Sequence, residues 1–300
     1  MAKMNRRNFI KTGVAGVASL SVAGGMANAN NVLNYSQQAY VVDKVQLGNS
    51  GLIVPRIAMG TGSSGFNRSS KQTRSGIENF VKVVHRAYER GASFYDMADA
   101  YGSHTFVGEA IKTLPREKLT LLSKMTHYPP GSPQVEPVRT TLDRFRKEIG
   151  TDYLDILLIH YLTMGGWNDS RKHYVDGFLK AKQDGILKAI GVSCHSYDAL
   201  IQAAETPWVD VIMARINPFQ TRMDGTPDAI VKVLELARKN GKGLIGMKIF
   251  GDGANVSDPE REQSIKYALT QSNIHCMTLG LENVAQVDDA VDRVMRLAKG

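Results

Sequence analysis

The chain of 300 residues is short of cysteine: Cys194 and Cys276 are its only two. They allow at most one internal disulfide, which excludes a cysteine-stapled scaffold. Cys276 lies in the apolar run Ile274-His275-Cys276-Met277 and reads as a buried strand thiol, so two free thiols are expected. Long apolar runs are missing as well, and a stable membrane span needs about 20 such residues. Charge of one sign is weak. Lys and Arg number 37 against 29 Asp and Glu, a net of +8. Of these cations, Lys3, Arg6, Arg7 and Lys11 fall within residues 1–29, which contain no acid, so residues 30–300 carry only +4. That is no nucleic-acid footprint. A composition of 43% hydrophobic and 22% charged residues excludes disordered and collagen-like chains and suffices for a substantial core.

What is present begins with an address. Asn5-Arg6-Arg7-Asn8-Phe9-Ile10-Lys11 sets paired arginines before two apolar residues and a lysine. A small-residue apolar stretch, Thr12 to Ala23, follows, and Ala27-Asn28-Ala29 offers the small-x-small pattern a signal peptidase needs. The whole resembles a twin-arginine (Tat) export signal of bacteria. That resemblance implies passage through the Tat translocase in a folded state, a periplasmic or otherwise exported product, and no stable membrane anchor after cleavage. Residues 1–29 are therefore set apart as the signal, residues 30–43, rich in Asn and Gln, as a spacer, and residues 44–300 as the folded domain.

Across residues 44–300 short apolar runs alternate with helical periodicity eight times. The strands are expected at Arg56–Gly60, Phe94–Ala98, Leu119–Lys124, Asp155–His160, Lys188–Ser193, Val209–Ala214, Gly243–Lys248 and Ile274–Gly280. Between them, Ile77, Phe80, Val81 and Val84 fall on one helical face, as do Val138, Leu142, Phe145 and Ile149. Ile230, Val233, Leu234 and Ala237 make a third such face, and Val284, Val287, Val291 and Val294 a fourth. Eight units predict an α/β fold, a (β/α)₈ TIM barrel. Lys44–Val54, centred on Gly48-Asn49-Ser50-Gly51, predicts an N-terminal β-hairpin that plugs the barrel bottom. An open doubly wound sheet is disfavoured, because Gly60-Thr61-Gly62-Ser63-Ser64-Gly65 does not lead straight into a helix.

A barrel of this kind gathers its chemistry at the C-terminal strand ends. Asp96, Tyr101, Lys124 and His160 come from three successive strands or the loops after them, each strand about 4.8 Å from the next. Tyrosine is a weak acid near pKa 10, and a close ammonium lowers that value by favouring the phenolate. Asp96 would pair with Lys124, and His160 would orient a substrate carbonyl. A proton donor above a carbonyl carbon needs a hydride source, which no side chain supplies but a nicotinamide does.

These residues sit in stretches that resemble the aldo-keto reductase family. The matching segments are Leu47-Gly48-Asn49-Ser50-Gly51-Leu52, Gly60-Thr61-Gly62, Phe94 to Gly102, Ser123-Lys124, Asp152 to His160 and Ile190-Gly191-Val192-Ser193. The resemblance implies NADPH- or NADH-dependent reduction of a small-molecule carbonyl, or oxidation of the alcohol. It makes Tyr101 the general acid, Lys124 and Asp96 its tuners, and His160 the orienting group. Family members usually follow the serine with Asn, and that Ser-Asn pair holds the nicotinamide carboxamide. Here Ser193 is followed by Cys194-His195, like the branch whose members often carry an iron–sulfur tail, although no Cys-x-x-Cys run is present and no cluster is expected. Met213 takes the place of a frequent glutamine, while Asn217 and Lys248 fall where the cofactor would be met. Gly60, Thr61, Gly280, Glu282, Asn283 and Gln286 complete the expected cofactor contacts. Glu282 would repel a 2′-phosphate and accept from a free ribose hydroxyl, which favours NAD over NADP.

Two other functions compete with this one. Five of the seven histidines, His104, His127, His160, His173 and His195, are expected near the mouth, as a metal-dependent barrel hydrolase or lyase would require. Such sites want a His-x-His pair on the first strand and an acid on the eighth; neither is present, so no metal is expected. The altered cofactor contacts point the other way, to a non-catalytic barrel serving as a binding module. The loop aromatics Trp167, Tyr128 and Tyr161 are expected either to line a substrate pocket or to pack its rim.

Overall fold

In the computed structural model, residues 41–299 are described. The signal and most of the spacer lie outside them. The domain already begins at Val42, which is buried and donates its backbone N–H to Arg90 O at 2.9 Å, and Asp43 pairs with Arg56 at 2.6 Å. The packed unit thus takes in the last two residues assigned to the spacer.

The strands are β1 (Lys44–Gln46), β2 (Ile53–Pro55), β3 (Ile57–Gly60), β4 (Phe94–Asp96), β5 (Thr120–Thr126), β6 (Leu154–Leu162), β7 (Leu187–Cys194), β8 (Val211–Arg215), β9 (Gly243–Met247) and β10 (Cys276–Gly280). The helices are α1 (Lys71–Arg74), α2 (Ile77–Glu89), α3 (His104–Ile111), α4 (Val138–Ile149), α5 (Trp167–Ser170), α6 (Lys172–Gln183), α7 (Tyr197–Glu205), α8 (Pro227–Lys239), α9 (Asp258–Thr270) and α10 (Val284–Leu297). β3 to β10 pair in parallel and close on themselves, β10 against β3, as a (β/α)₈ barrel. A parallel sheet covered by helices buries both faces, which is why its strands read as near-continuous apolar runs.

β1 and β2 form an antiparallel hairpin that closes the bottom. Leu47 and Val54 pack with Ala58, Phe94, Ile156 and Ile245 in the barrel interior. Gly48 (φ +53°) lies against the Gly241–Gly243 backbone, where a Cβ would come within 2.5 Å of Gly243 N. Outside the sheet a second apolar layer joins it to the helices. Caps mark the helix starts: Thr226 accepts from Ala229 N before α8, and Ser257 with Glu260 makes a capping box before α9. Cys194 faces the outer layer and Cys276 the interior; both thiols are buried and free.

Candidate active site

Asp96 ends β4, and a short 3₁₀ turn, Asp99–Tyr101, follows it. Gly102 terminates that turn in the left-handed region (φ +63°), where any Cβ would strike the Arg68 carbonyl. The turn thereby delivers the Tyr101 ring over the barrel mouth. Gly62 and Gly65 press against the ring; a Cβ on either would collide with it. Those two glycines were not singled out for this role from sequence, because the contact joins the loop after β3 to the turn after β4.

Below the ring lies a buried ion pair. Lys124 Nζ donates to Asp96 Oδ1 and to Met97 O at 3.1 Å, and stands 4.9 Å from the Tyr101 ring centroid. Asp96 Oδ2 accepts from Thr278 Oγ1 at 2.9 Å. Thr278 was also missed; its only signal is an inward-facing polar residue in an apolar strand. Burial would strip the Lys124 ammonium of its proton, but Asp96 and the Tyr101 hydroxyl outweigh it and hold the pKa above the ordinary lysine value. The Tyr101 phenol corrects the sequence expectation. Burial pushes its pKa up, Lys124 pulls it back, Asp96 pushes it up again, and the balance is upward. The ammonium therefore offsets burial without overcoming it.

His160 is buried near the end of β6, its ring 5.6 Å from that of Tyr101 and nearly perpendicular. Burial, with Lys124 adding repulsion, drops its pKa well below 6.5, so the imidazole is neutral. His195 stands 6.3 Å from it, held down to about 3 by burial and then by Arg215. Of the five histidines expected at the mouth, His127 contacts Tyr161 O from the rim, whereas His104 points outward to Ser123 and Glu148 and His173 stacks on Tyr174 of α6. Trp167 packs in the outer layer against Trp208, donates to Ala199 O and does not line the cavity at the barrel mouth.

A cavity of about 760 Å³ runs from Tyr101 and Asp96 along the ends of β9, β10 and β3 to the start of α10. Gly60, Lys248, Gly280, Glu282, Asn283 and Gln286 all line it. Gly280 permits close packing of Ser63. Asn283 caps α10 by accepting from Gln286 N at 3.0 Å, and Gln286 Oε1 accepts from Glu282 N at 2.7 Å. Glu282 is thus outside the cap, and its carboxylate meets Lys71 at 3.5 Å. Lys71 and Arg261, neither foreseen, place two more cations on the same wall. Lys248 pairs with Asp252 at 2.7 Å.

Three other expected contacts stand back from this wall. Thr61 is buried; its hydroxyl donates to Asp96 O at 2.9 Å and accepts from the Ser103 hydroxyl at 2.8 Å. Asn217 spends both donors on Thr221 O and Lys248 O and its oxygen on Phe219 N and Thr221 N, tying two loops together. Ser193 is buried at the end of β7, and its hydroxyl has no partner among the described residues. His160 Nδ1 is likewise unpartnered. Buried polar groups without partners are costly, and two at one strand-end rim fit a polar ligand group seated there.

A closed parallel barrel with a Tyr-Lys-Asp-His group at its C-terminal mouth, beside a long cavity lined by charged side chains of both signs, defines an oxidoreductase-type site. The chain belongs to the Aldo/keto reductase family, whose model matches residues 56–298, and is an oxidoreductase enzyme of that family. It is 24% identical over 289 residues to L-galactose dehydrogenase of Arabidopsis thaliana, covering 84% of this chain and 88% of that protein. Its identity to D-threo-aldose 1-dehydrogenase of a Pseudomonas species is 23% over 255 residues, 73% of either chain. An aldo-keto reductase of Bacillus halodurans, solved in its holo form, shares the fold at a TM-score of 0.67 and 17% identity, over 86% of this chain and 94% of that one.

Proposed function

We propose that the protein interconverts a carbonyl compound, an aldehyde, ketone or sugar, and its alcohol, using NADPH or NADH. Tyr101 acts as the general acid in reduction and the general base in oxidation. The observation that carries this reading is the Tyr101 ring set over the buried Lys124–Asp96 pair at the mouth of the long cavity. A bound nicotinamide supplies the hydride. Ser193 and the cavity wall from Gly280 to Gln286, with Lys248, would hold it.

The side chains then divide the work. Neutral His160 donates a hydrogen bond that orients the carbonyl oxygen towards the Tyr101 hydroxyl. Tyr101 releases its proton to that oxygen, and the Lys124 ammonium stabilises the phenolate left behind. Asp96 keeps Lys124 charged and in place. A Tyr101→Phe variant should bind the nucleotide as tightly as the wild type, read by the fluorescence of bound NADPH. Its kcat should fall about 10³-fold, the scale of a lost general acid. Turnover at the wild-type rate would sink the assignment.

We also propose that the enzyme is exported through the Tat route with its nucleotide already bound. The paired Arg6-Arg7 and the following apolar stretch support this. In a bacterial host, Arg6→Lys with Arg7→Lys should leave the protein in the cytoplasmic fraction. An undiminished periplasmic pool would refute export by this route.

A further inference from the structure

Behind the Tyr101 turn, on the outer side of the barrel, lies a group of charged side chains that the proposed reaction leaves unused. Asp99 opens the turn two residues before Tyr101. Its two carboxylate oxygens accept from Arg144 at 2.9 and 2.8 Å, and one accepts also from Arg68 at 2.7 Å. Both guanidiniums reach on to Glu148, at 3.2 and 3.0 Å. Glu148 meets His104 Nδ1 at 2.9 Å, and His104 Nε2 meets Ser123 Oγ at 2.8 Å. Ser123 precedes Lys124 on β5. The path is closed: it starts beside the proton donor and ends beside the ammonium that serves it.

The potential metal ligands of Asp99, His104 and Glu148 lie within 4.8 Å of one another, a spacing a cation would accept. The two guanidiniums already neutralise both carboxylates, and a metal would have to expel them. Burial alone would raise the Glu148 carboxyl, but His104 and Arg144 outweigh it and hold it at about 2. The Glu148 carboxylate is therefore charged and engaged at any working pH. Backbone contacts reinforce it, since Arg68 N donates to Ala100 O at 2.9 Å inside the same turn.

We propose that Arg68, Asp99, His104, Ser123, Arg144 and Glu148 form a truss that sets the position of Tyr101 relative to Lys124, and so act as positioning residues for the proton transfer. The proposal rests on the reading of Tyr101 as the proton donor. Its physical basis is leverage. A three-residue turn has little stiffness of its own, and bidentate Arg–carboxylate pairs fix orientation as well as distance. Ionisation of Tyr101 depends on Lys124, which opposes the effect of burial, and is also felt by Asp96 and Asp252, with His160 across the mouth. A looser turn moves the phenol away from the ammonium and leaves burial less opposed.

The test is the pH dependence of kcat for alcohol oxidation in the wild type, Asp99→Asn, Glu148→Gln and Arg144→Lys. Oxidation needs the phenolate, so kcat rises with pH along a limb set by Tyr101. Each variant should lose about tenfold in kcat, as a sub-ångström misplacement would cause. Its limb should move to higher pH by about half a unit or more, with nucleotide affinity unchanged. Arg144→Lys keeps the charge and loses the fork, so it serves even where a carboxylate change impairs folding. A kcat that falls only in step with Tm, the limb unmoved, would show the network to be merely structural and overturn the proposal. Wild-type kcat and limb in all three variants would overturn it too. Full activity of Tyr101→Phe would instead overturn the reading on which it rests.

Discussion

Glu282 and Lys71 face each other on the wall of the long cavity, and their pairing bears on which nucleotide the enzyme takes. Both are substantially exposed, and such pairs contribute little to stability. Their charges still act on a ligand seated between them. A 2′-phosphate would be drawn by Lys71 and Arg261 and repelled by Glu282. We predict that Glu282→Gln removes the repulsion, frees Lys71 and shifts the ratio of NADPH to NADH dissociation constants about tenfold towards NADPH, about 1.4 kcal/mol. Titration of nucleotide fluorescence measures both constants; an unchanged ratio would mean that Glu282 does not face the ribose. At this scale the sequence was informative about identity and poor about company. Asp96, Tyr101, Lys124 and His160 were named from their strand positions, and the structure brings all four to one mouth. Thr278, Lys71, Arg261 and the two glycines over the Tyr101 ring were not, because each meets its partner across a gap in sequence that spacing cannot bridge. The direction of the Tyr101 shift was also misjudged from sequence, since a lysine's pull is foreseeable from type whereas the depth of burial is not.

The elements were legible to within a few residues. All eight barrel strands lie where apolar runs were read, and two short helices that no apolar face announced, α3 and α7, follow the second and fifth of them. The apolar faces of α4 and α8 are buried as expected. For α2 the buried face is Phe80, Val83, Val84 and Ala87, turned from the expected set, and Ile77 is exposed. Ile77 is the first residue of its helix, and Val284, also exposed, is the first of α10. At these two helices the first residue projects past the packed layer, so periodicity extended to the helix end overcounts the core there. Gly191 shows a constraint of another kind. Any Cβ there would run into the Val211 carbonyl, so β7 and β8 approach as they do only because that side chain is absent.

For the whole molecule, histidine burial gives stability a pH dependence. His160, His195 and His275 all have folded pKa values held below 6.5, to about 3 for His195 and about 4 for His275, with burial the leading cause. Below 6.5 the unfolded chain takes up protons that the folded one refuses, so stability is full above that pH and declines as pH falls towards 4. Calorimetry should show a level Tm between about pH 7 and 8 and a loss of several degrees between about pH 6.5 and 4.5. A flat Tm across that window would contradict the neutral state assigned to these imidazoles.

By itself the sequence determined the barrel, its hairpin plug and the four residues at the mouth. Each is written in local terms: strand and helix periods, turn residues, and a residue type at the end of a strand. Only the tertiary structure decided what surrounds them. Closure of β10 on β3 brings Thr278 to Asp96, separated by most of the chain, and the α3–α4 layer carries a line of charge from Asp99 to Ser123. Such contacts depend on where elements cross, and burial, which sets the proton affinities of Tyr101 and His160, is a property of the packed whole.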